Sequence, residues 1–128
     1  IINYAIRNAT GKYFIFTGND DIIRDTHFEH YLSGIEGTAN DFAYFNTWVD
    51  PHKMMRMSQP LFGSIGHSEL IVRTEFLKTI PPHGKDYGHD WKLIEDMMAK
   101  TTKHIKIKDE SPTYFIMSVP GKTNDTID

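Results

Sequence analysis

Adjacent carboxylates follow a short apolar segment near the start of the chain, and they are the first candidates for chemistry. Segment 13–16 is apolar at every position and predicts a strand covered on both faces, and Gly18-Asn19-Asp20-Asp21 follows it almost at once. In open α/β sheets, ligands bind at the carboxyl ends of the strands. Gly, Asn and Asp are also the commonest turn residues, so a purely structural polar turn is the alternative.

Two further polar positions lie later in the chain. His67 is in a glycine-containing turn before a predicted strand, and His89-Asp90 opens a predicted helix. Each has a structural alternative: His67 is then an ordinary loop histidine, and Asp90 caps its helix. Taken together, the order and spacing of the three positions favour a functional site more than any one of them does.

The elements that must position these residues follow from hydrophobic periodicity and turn signals. Thr26 and Glu29 have the spacing of a capping box before an apolar helical stripe, and Gly37 is placed to end that helix. Segment 52–60 has no clear period and three methionines; it predicts an irregular surface excursion packed by methionines or a flap near a site. The other predicted helices cover 2–9, 74–80 and a segment from 89 onward, and the other predicted strands cover 42–49, 69–73, 105–107 and 113–117.

Composition sets further bounds. The chain has 128 residues, enough for one domain, and 39% of them are hydrophobic, which argues against wholesale disorder. The net charge is −3 with scattered lysines and arginines, so nucleic acid is not an expected partner. The absence of cysteine excludes disulfides and thiolate metal sites, and no apolar run is long enough to span a membrane.

Most of residues 1–103 resembles the inverting GT-A glycosyltransferases that use nucleotide-diphosphate sugars. Segment 9–16 matches that family's "A-x-G-x-Y-I-x-F" pattern, and 18–21 falls on its Asp-x-Asp-Asp loop. By this resemblance, Asp20 is the aspartate that holds a divalent metal, Mn²⁺ or Mg²⁺, on the donor diphosphate. Gly18 stands where the family has its first aspartate, and Asn19 and Asp21 belong to the same diphosphate loop.

The resemblance continues further along the chain. Segment 66–73 is similar to the family's glycine-containing stretch before a strand, and 89–93 to its Glu-Asp-x-x-Leu motif with histidine in place of glutamate. The resemblance therefore implies that Asp90 is the general base. It places Gly66, His67, His89 and Trp91 on the acceptor side, although Trp91 also has the spacing of a core residue.

The resemblance implies an α/β fold: a GT-A-like mixed sheet flanked by helices. Residues 1–128 would form one partial domain that lacks the N-terminal nucleotide-binding half and has weak or no activity alone. Its partners would be a nucleotide-sugar donor and a saccharide or lipid-linked acceptor, and the full-length enzyme would act in the cytoplasm, at the inner face of the membrane. A strand left unpaired by the missing half predicts self-association of the chain.

Two other functions remain open from the sequence. One is a degenerate GT-A unit that binds a saccharide or a partner without turnover, which the glycine at position 18 supports. The other is a metal-dependent phosphoesterase that uses a two-metal site. The candidate ligands of that second site are Asp20, Asp21, His67, His89 and Asp90.

Overall fold

The computed structural model describes residues 2–18, 20–58, 65–81, 89–108 and 112–117. The helices are α1 (Ile2–Asn8), α2 (His27–Ile35), α3 (Thr74–Leu77) and α4 (His89–Lys100). The strands are β1 (Tyr13–Ile15), β2 (Ile22–Ile23), β3 (Phe42–Tyr44), β4 (Thr47–Val49), β5 (Met54–Arg56), β6 (Leu70–Arg73), β7 (His104–Lys106) and β8 (Tyr114–Ile116). Short 3₁₀ turns cover Asp50–His52 and His67–Glu69. No helix in these ranges has the length and apolar character needed to cross a membrane.

The larger sheet has the strand order β1-β6-β3-β7. Strand β6 is antiparallel to both β1 and β3, and β3 is parallel to β7, so the sheet is mixed. Tyr13 pairs with Arg73, and Ile15 pairs with Ile71. The chain leaves β1 at Phe16 and enters the acidic loop, so this loop lies at the carboxyl end of an edge strand.

Alternating side chains of the larger sheet supply two separate cores, as the period of a strand requires. Phe42, Leu70 and Val72 face a cluster that includes side chains of α1, α3 and α4. Ala43 and Ile71 face the opposite cluster, which contains the buried side chains of α2. The sheet is therefore covered by helices on both faces, and the acidic loop projects from a fixed layer.

The smaller sheet has the order β2-β8-β4-β5. Strand β8 pairs antiparallel with β2 and parallel with β4, and β5 closes the sheet beside β4. Val49, Tyr114 and Ile116 form its small core. Because β2 directly follows the acidic loop, this sheet holds the far end of that loop.

The sequence prediction of one strand over 42–49 is wrong. The structure divides this segment into β3 and β4, which belong to different sheets. Between them, the Phe45 amide donates to the Glu69 carbonyl at 3.1 Å, and the Asn46 side chain accepts from the Ser58 amide at 2.9 Å. These side-chain and turn contacts lead the chain from one sheet to the other, although its apolar character continues.

Segment 52–60 was predicted to be an irregular surface excursion packed by methionines, or a flap near a site. This is wrong in part, because β5 forms there and pairs with β4. Met54 and Met57 are more than half exposed, so neither methionine packs the segment. Residues 59 and 60 lie outside the described part of the chain. This regular pairing was hidden from the sequence because β5 has no apolar period of its own.

Helix α2 forms where predicted, and Tyr31 and Ile35 of its apolar stripe are buried. His27 is buried as well, whereas Phe28 of the same stripe is 39% exposed. The predicted capping box is not formed, because Thr26 makes no side-chain cap hydrogen bond. Gly37 follows the helix with a φ of +77°, a conformation that glycine adopts easily, so its predicted role at the helix end is confirmed.

Within the described residues, β1 pairs on one side only, with β6. An open strand edge favours association with another chain, so we expect the protein to form dimers as its concentration rises. A charged side chain on that edge, Tyr13→Lys, should weaken the dimer, and Tyr4→Lys on the exposed surface of α1 should not. Light scattering over a concentration series measures this. A strictly monomeric parent protein would contradict the prediction.

Candidate functional site

A cleft of about 410 Å³ lies at the carboxyl end of β1. One wall consists of residues 14–18 and Asp21 of the acidic loop. The opposite wall consists of His67 and Ser68 of the second 3₁₀ turn, and Ala5 of α1 also lines the cleft. The strand brings the loop to this position, and the start of β6 brings the turn. Two segments about fifty residues apart in sequence thus meet at one sheet edge, where α/β folds bind ligands.

The acidic loop is held by a tyrosine from the smaller sheet. The Gly18 amide donates to the Tyr114 hydroxyl oxygen at 2.9 Å, and that hydroxyl donates to Asp21 Oδ2 at 2.5 Å. The Met117 amide donates to Asp21 Oδ1 at 3.3 Å. Burial, with the Asp21 hydrogen bond adding to it, raises the pKa of Tyr114 above its usual range, so its hydroxyl keeps its proton at neutral pH.

The second 3₁₀ turn forms the opposite wall of the cleft. The His67 ring stacks on the Phe16 ring, with centroids 4.5 Å apart and planes 13° from parallel. Next to it, Ser68 hydrogen-bonds to the Tyr114 hydroxyl and thereby opposes the rise of the tyrosine pKa. Tyr114 consequently connects both walls of the cleft.

Directly behind this turn lies a buried ionic cluster centred on Glu69. The Glu69 carboxylate is fully buried, and its Oε1 accepts from the Gly66 amide at 2.9 Å and pairs with Arg56 Nε at 3.1 Å. Its Oε2 accepts from the Thr47 hydroxyl at 2.9 Å. Burial raises the pKa of Glu69, and Arg56 opposes that rise. The cluster ties β4 and β5 of the smaller sheet to the turn that leads into β6.

The structure is similar to crystal structures of TarS from S. aureus, a GT-A-type glycosyltransferase. With TarS residues 1–349 in complex with UDP-GlcNAc, the TM-score is 0.69 at 15% identity, over 98% of this chain and 40% of that one. With a second crystal structure of TarS 1–349, the TM-score is 0.65 at 15% identity, over 88% of this chain and 38% of that one. The chain has the fold of part of a GT-A glycosyltransferase. It spans about 40% of the TarS chain, and no protein-family profile or curated protein matches the sequence.

The GT-A fold predicted from the sequence is therefore confirmed. The predicted site residues are distributed around the cleft as follows. Asp21, Gly18 and His67 line it, and Asp20 is exposed in the same loop. Gly66 is buried, and its amide donates to Glu69 Oε1, so it belongs to the ionic cluster behind the turn.

Three other predicted site residues are at the start of α4. His89 and Asp90 are its first two residues, and their side chains lie outside the described part of the structure. Asp90 is thus in the first turn of the helix. The sequence alternative that placed it at the N-cap is not what the structure shows. Trp91 is 9% exposed and packs in the core with Leu93 and Ile94. Asn19 is outside the described residues.

The described residues offer a divalent cation few ligands in the GT-A loop. Within these ranges, no three His, Asp or Glu side chains come together as a metal site. Gly18 has no carboxylate, and both oxygens of Asp21 accept hydrogen bonds. Asp20 is the other described carboxylate of the loop and is exposed. One carboxylate is enough where substrate phosphates and water supply the remaining ligands of Mg²⁺, so the loop fits a cation that arrives with a diphosphate.

Sequence reasoning missed Tyr114 and Glu69. Tyr114 had been assigned only to a strand, and its loop partner Asp21 is 93 positions away. Glu69 had one available signal, since a lone acidic residue stands immediately before the apolar run of β6. An acidic residue in such a place predicts either exposure or a buried partner, but the sequence did not identify Arg56 as that partner.

His27 is another buried polar residue beside the smaller sheet. It is 1% exposed, lies 2.9 Å from the Thr113 hydroxyl through Nδ1, and contacts the Tyr114 ring. Burial, and then the positive charge of His30, lower its pKa from 6.5 to about 4. The folded protein therefore holds the neutral imidazole, whereas the unfolded chain takes up a proton below about pH 6.5.

Acidification should therefore destabilise the fold through His27. The neutral His27 contributes fully to the free energy of unfolding above pH 6.5. This contribution, about 3 kcal/mol, is lost as the pH falls towards 4. Denaturant unfolding at pH 7, 5.5 and 4 measures the loss. His27→Gln should flatten this part of the profile, and the exposed His52→Gln should leave it as in the parent. Identical profiles for both variants would contradict the assignment.

Proposed function

We propose that this chain is part of the catalytic unit of a glycosyltransferase that transfers sugar from a nucleotide-diphosphate donor to an acceptor hydroxyl. The observation that carries the proposal is the cleft at the end of β1, bounded by the acidic loop and the turn with His67 and Ser68, in a GT-A fold. The structurally similar TarS is described in complex with UDP-GlcNAc. We infer that the donor of this chain is of the same chemical class.

The residues have distinct roles in the proposed reaction. Asp20 would hold a divalent cation, Mn²⁺ or Mg²⁺, whose charge offsets that of the departing diphosphate. Asp90 would take the proton from the acceptor hydroxyl as its oxygen attacks the anomeric carbon. The bond between that carbon and the diphosphate oxygen breaks on the opposite face, so the configuration inverts. The first turn of α4 favours an ionised carboxylate, as a general base requires.

A non-catalytic binding unit is the second candidate, and the glycine at position 18 favours it. The family pattern has its first aspartate at this position, and the nearby Asp21 carboxylate is bound by Tyr114 and the Met117 amide. Such a loop could bind a nucleotide sugar without accelerating transfer. The two candidates make the same prediction for donor binding and opposite predictions for turnover.

Donor binding tests the proposal, with UDP-GlcNAc and Mg²⁺ as the probes. Isothermal titration should show binding of UDP-GlcNAc that strengthens when Mg²⁺ is present, because Asp20 would hold the cation and the cation's charge would offset that of the diphosphate. Asp20→Asn should abolish the Mg²⁺-dependent gain, about tenfold in affinity for one lost charge-assisted contact. Asp25→Asn, an exposed aspartate that does not line the cleft, is the matched control. An equal Mg²⁺ effect in both variants would remove Asp20 from the site.

A further inference from the structure

The Tyr114 hydroxyl is the common point of the acidic loop: it accepts from the Gly18 amide at 2.9 Å and donates to Asp21 Oδ2 at 2.5 Å. The Tyr114 side chain itself is fully buried, so its hydroxyl is held in a fixed place. We propose that Tyr114 is the positioning residue of this loop and that glycine is required at position 18 because the Asp21 carboxylate fills the space of a side chain there.

The geometry at Gly18 supports the second half of this proposal. A Cβ on residue 18 would lie 2.5 Å from Asp21 Oδ2 and 3.2 Å from Asp21 Cγ. The first distance is far below van der Waals contact, so any side chain at this position displaces the carboxylate. A surface carboxylate would move at little cost, but the Asp21 carboxylate can move only by giving up its hydrogen bonds to Tyr114 and the Met117 amide.

The glycine and the tyrosine contact are therefore two parts of one arrangement. Where the family pattern has an aspartate at position 18, this chain has the Asp21 carboxylate in the adjoining space, and a tyrosine binds it. Asp21 then acts in the structure of the loop, whereas Asp20 is the residue proposed to hold a cation. That last assignment rests on the proposed function, whereas the Gly18, Asp21 and Tyr114 arrangement stands without it.

A double-mutant cycle between positions 18 and 21 tests the spatial part of the proposal. Gly18→Ala should lower the equilibrium constant for folding about tenfold in the parent, as overpacking at a fixed neighbour does. In the Asp21→Ala background, the same change should cost less than about twofold, because the remaining neighbour, the Tyr114 hydroxyl, is 3.7 Å away.

Gly11→Ala is the matched control for this cycle. A Cβ at position 11 has only the Tyr13 carbonyl oxygen within 4 Å, at 3.7 Å. This change should therefore have the same small effect in both backgrounds. If Gly18→Ala costs equally much with and without the Asp21 carboxylate, or costs nothing in the parent, the proposal is overturned.

A spectroscopic measurement tests the positioning role of Tyr114 apart from stability. In amide NMR spectra of the full chain, Tyr114→Phe should move the Gly18 signal upfield and speed its hydrogen exchange, because the acceptor of that amide is gone. The Asp20 and Asp21 signals should move with it. Tyr44→Phe also removes a hydroxyl from a buried tyrosine, in the larger sheet, and should leave these three signals in place.

The outcomes separate this proposal from the proposed function. Unchanged loop signals in Tyr114→Phe would overturn the positioning role, whatever the chain binds. Shifted signals in that variant, together with coupling between positions 18 and 21, would support it even if UDP-GlcNAc failed to bind to the parent. Failed donor binding would count against the proposed function alone.

Discussion

Replacing Asp90 by asparagine should lower the rate of sugar transfer by about 10²-fold or more, the scale of a general-base contribution. Asparagine is nearly the same size but cannot take the proton from the acceptor hydroxyl. In the first turn of α4, it also gives up the attraction between a carboxylate and the helix N-terminus, which costs only about 0.3–1 kcal/mol in the free energy of unfolding. Activity should therefore fall far more than stability.

The transfer assay compares Asp90→Asn with the parent, with UDP-GlcNAc, the ligand of the TarS complex, as the donor. Glu95→Gln is the matched control, because Glu95 is a largely exposed acidic residue of the same helix. Anomeric NMR of the product reports inversion. Equal rates for the two variants would refute the base assignment, and an absence of transfer by the parent would favour the non-catalytic binding unit.

Replacing Arg56 by methionine should destabilise the fold by about 3–5 kcal/mol at pH 8, the cost of leaving a buried charge without its partner. The methionine keeps most of the apolar stem but removes the guanidinium that pairs with the fully buried Glu69. The remaining donors, which are the Thr47 and Ser58 hydroxyls and the Gly66 amide, cannot balance a full negative charge. Denaturant unfolding of the parent and the variant measures the difference.

The destabilisation should depend on pH in a defined direction. Burial raises the pKa of Glu69 in the folded protein, and the loss of Arg56 raises it further, so stability is greatest below the unfolded pKa of 4.5 and falls as the pH rises. The gap between parent and variant should therefore widen from pH 4 to pH 8. Lys53→Met, which breaks the exposed ion pair with Asp50, should leave the stability nearly unchanged, because solvent screens exposed ion pairs. Similar losses at pH 8 would contradict the role of the Glu69 cluster.

Elements with strong local signals could be predicted from the sequence. Helix α4 buries Trp91, Leu93, Ile94 and Met97 as its period indicated, and β8 forms within the predicted 113–117. The division of 42–49 between two sheets could not be predicted, because it depends on contacts of Phe45 and Asn46 with residues that are distant in sequence. Apolar character indicates a strand but not the sheet to which it belongs.

The parts of the candidate site that belong to short sequence motifs could be predicted. The parts that depend on tertiary contacts could not. The sequence indicated the acidic loop and the turn at His67, and the structure brings both to one cleft. The sequence alone did not explain the glycine at position 18, which suggested only that a metal ligand had been lost. The structure explains it, because the Asp21 carboxylate fills the adjoining space. The partners of the loop, Tyr114 and Met117, are more than ninety residues away, and no local pattern links them to it.

The central claim, that a nucleotide-diphosphate sugar binds in the cleft at the end of β1, is tested most directly by amide NMR. Adding UDP-GlcNAc with Mg²⁺ to the labelled chain should shift the signals of Gly18, Asp21 and Ser68, which line the cleft. The signals of β7, which lies at the far edge of the larger sheet, should stay in place. Saturating shifts confined to the cleft are the predicted result; no shifts at millimolar donor, or shifts only elsewhere, would contradict it.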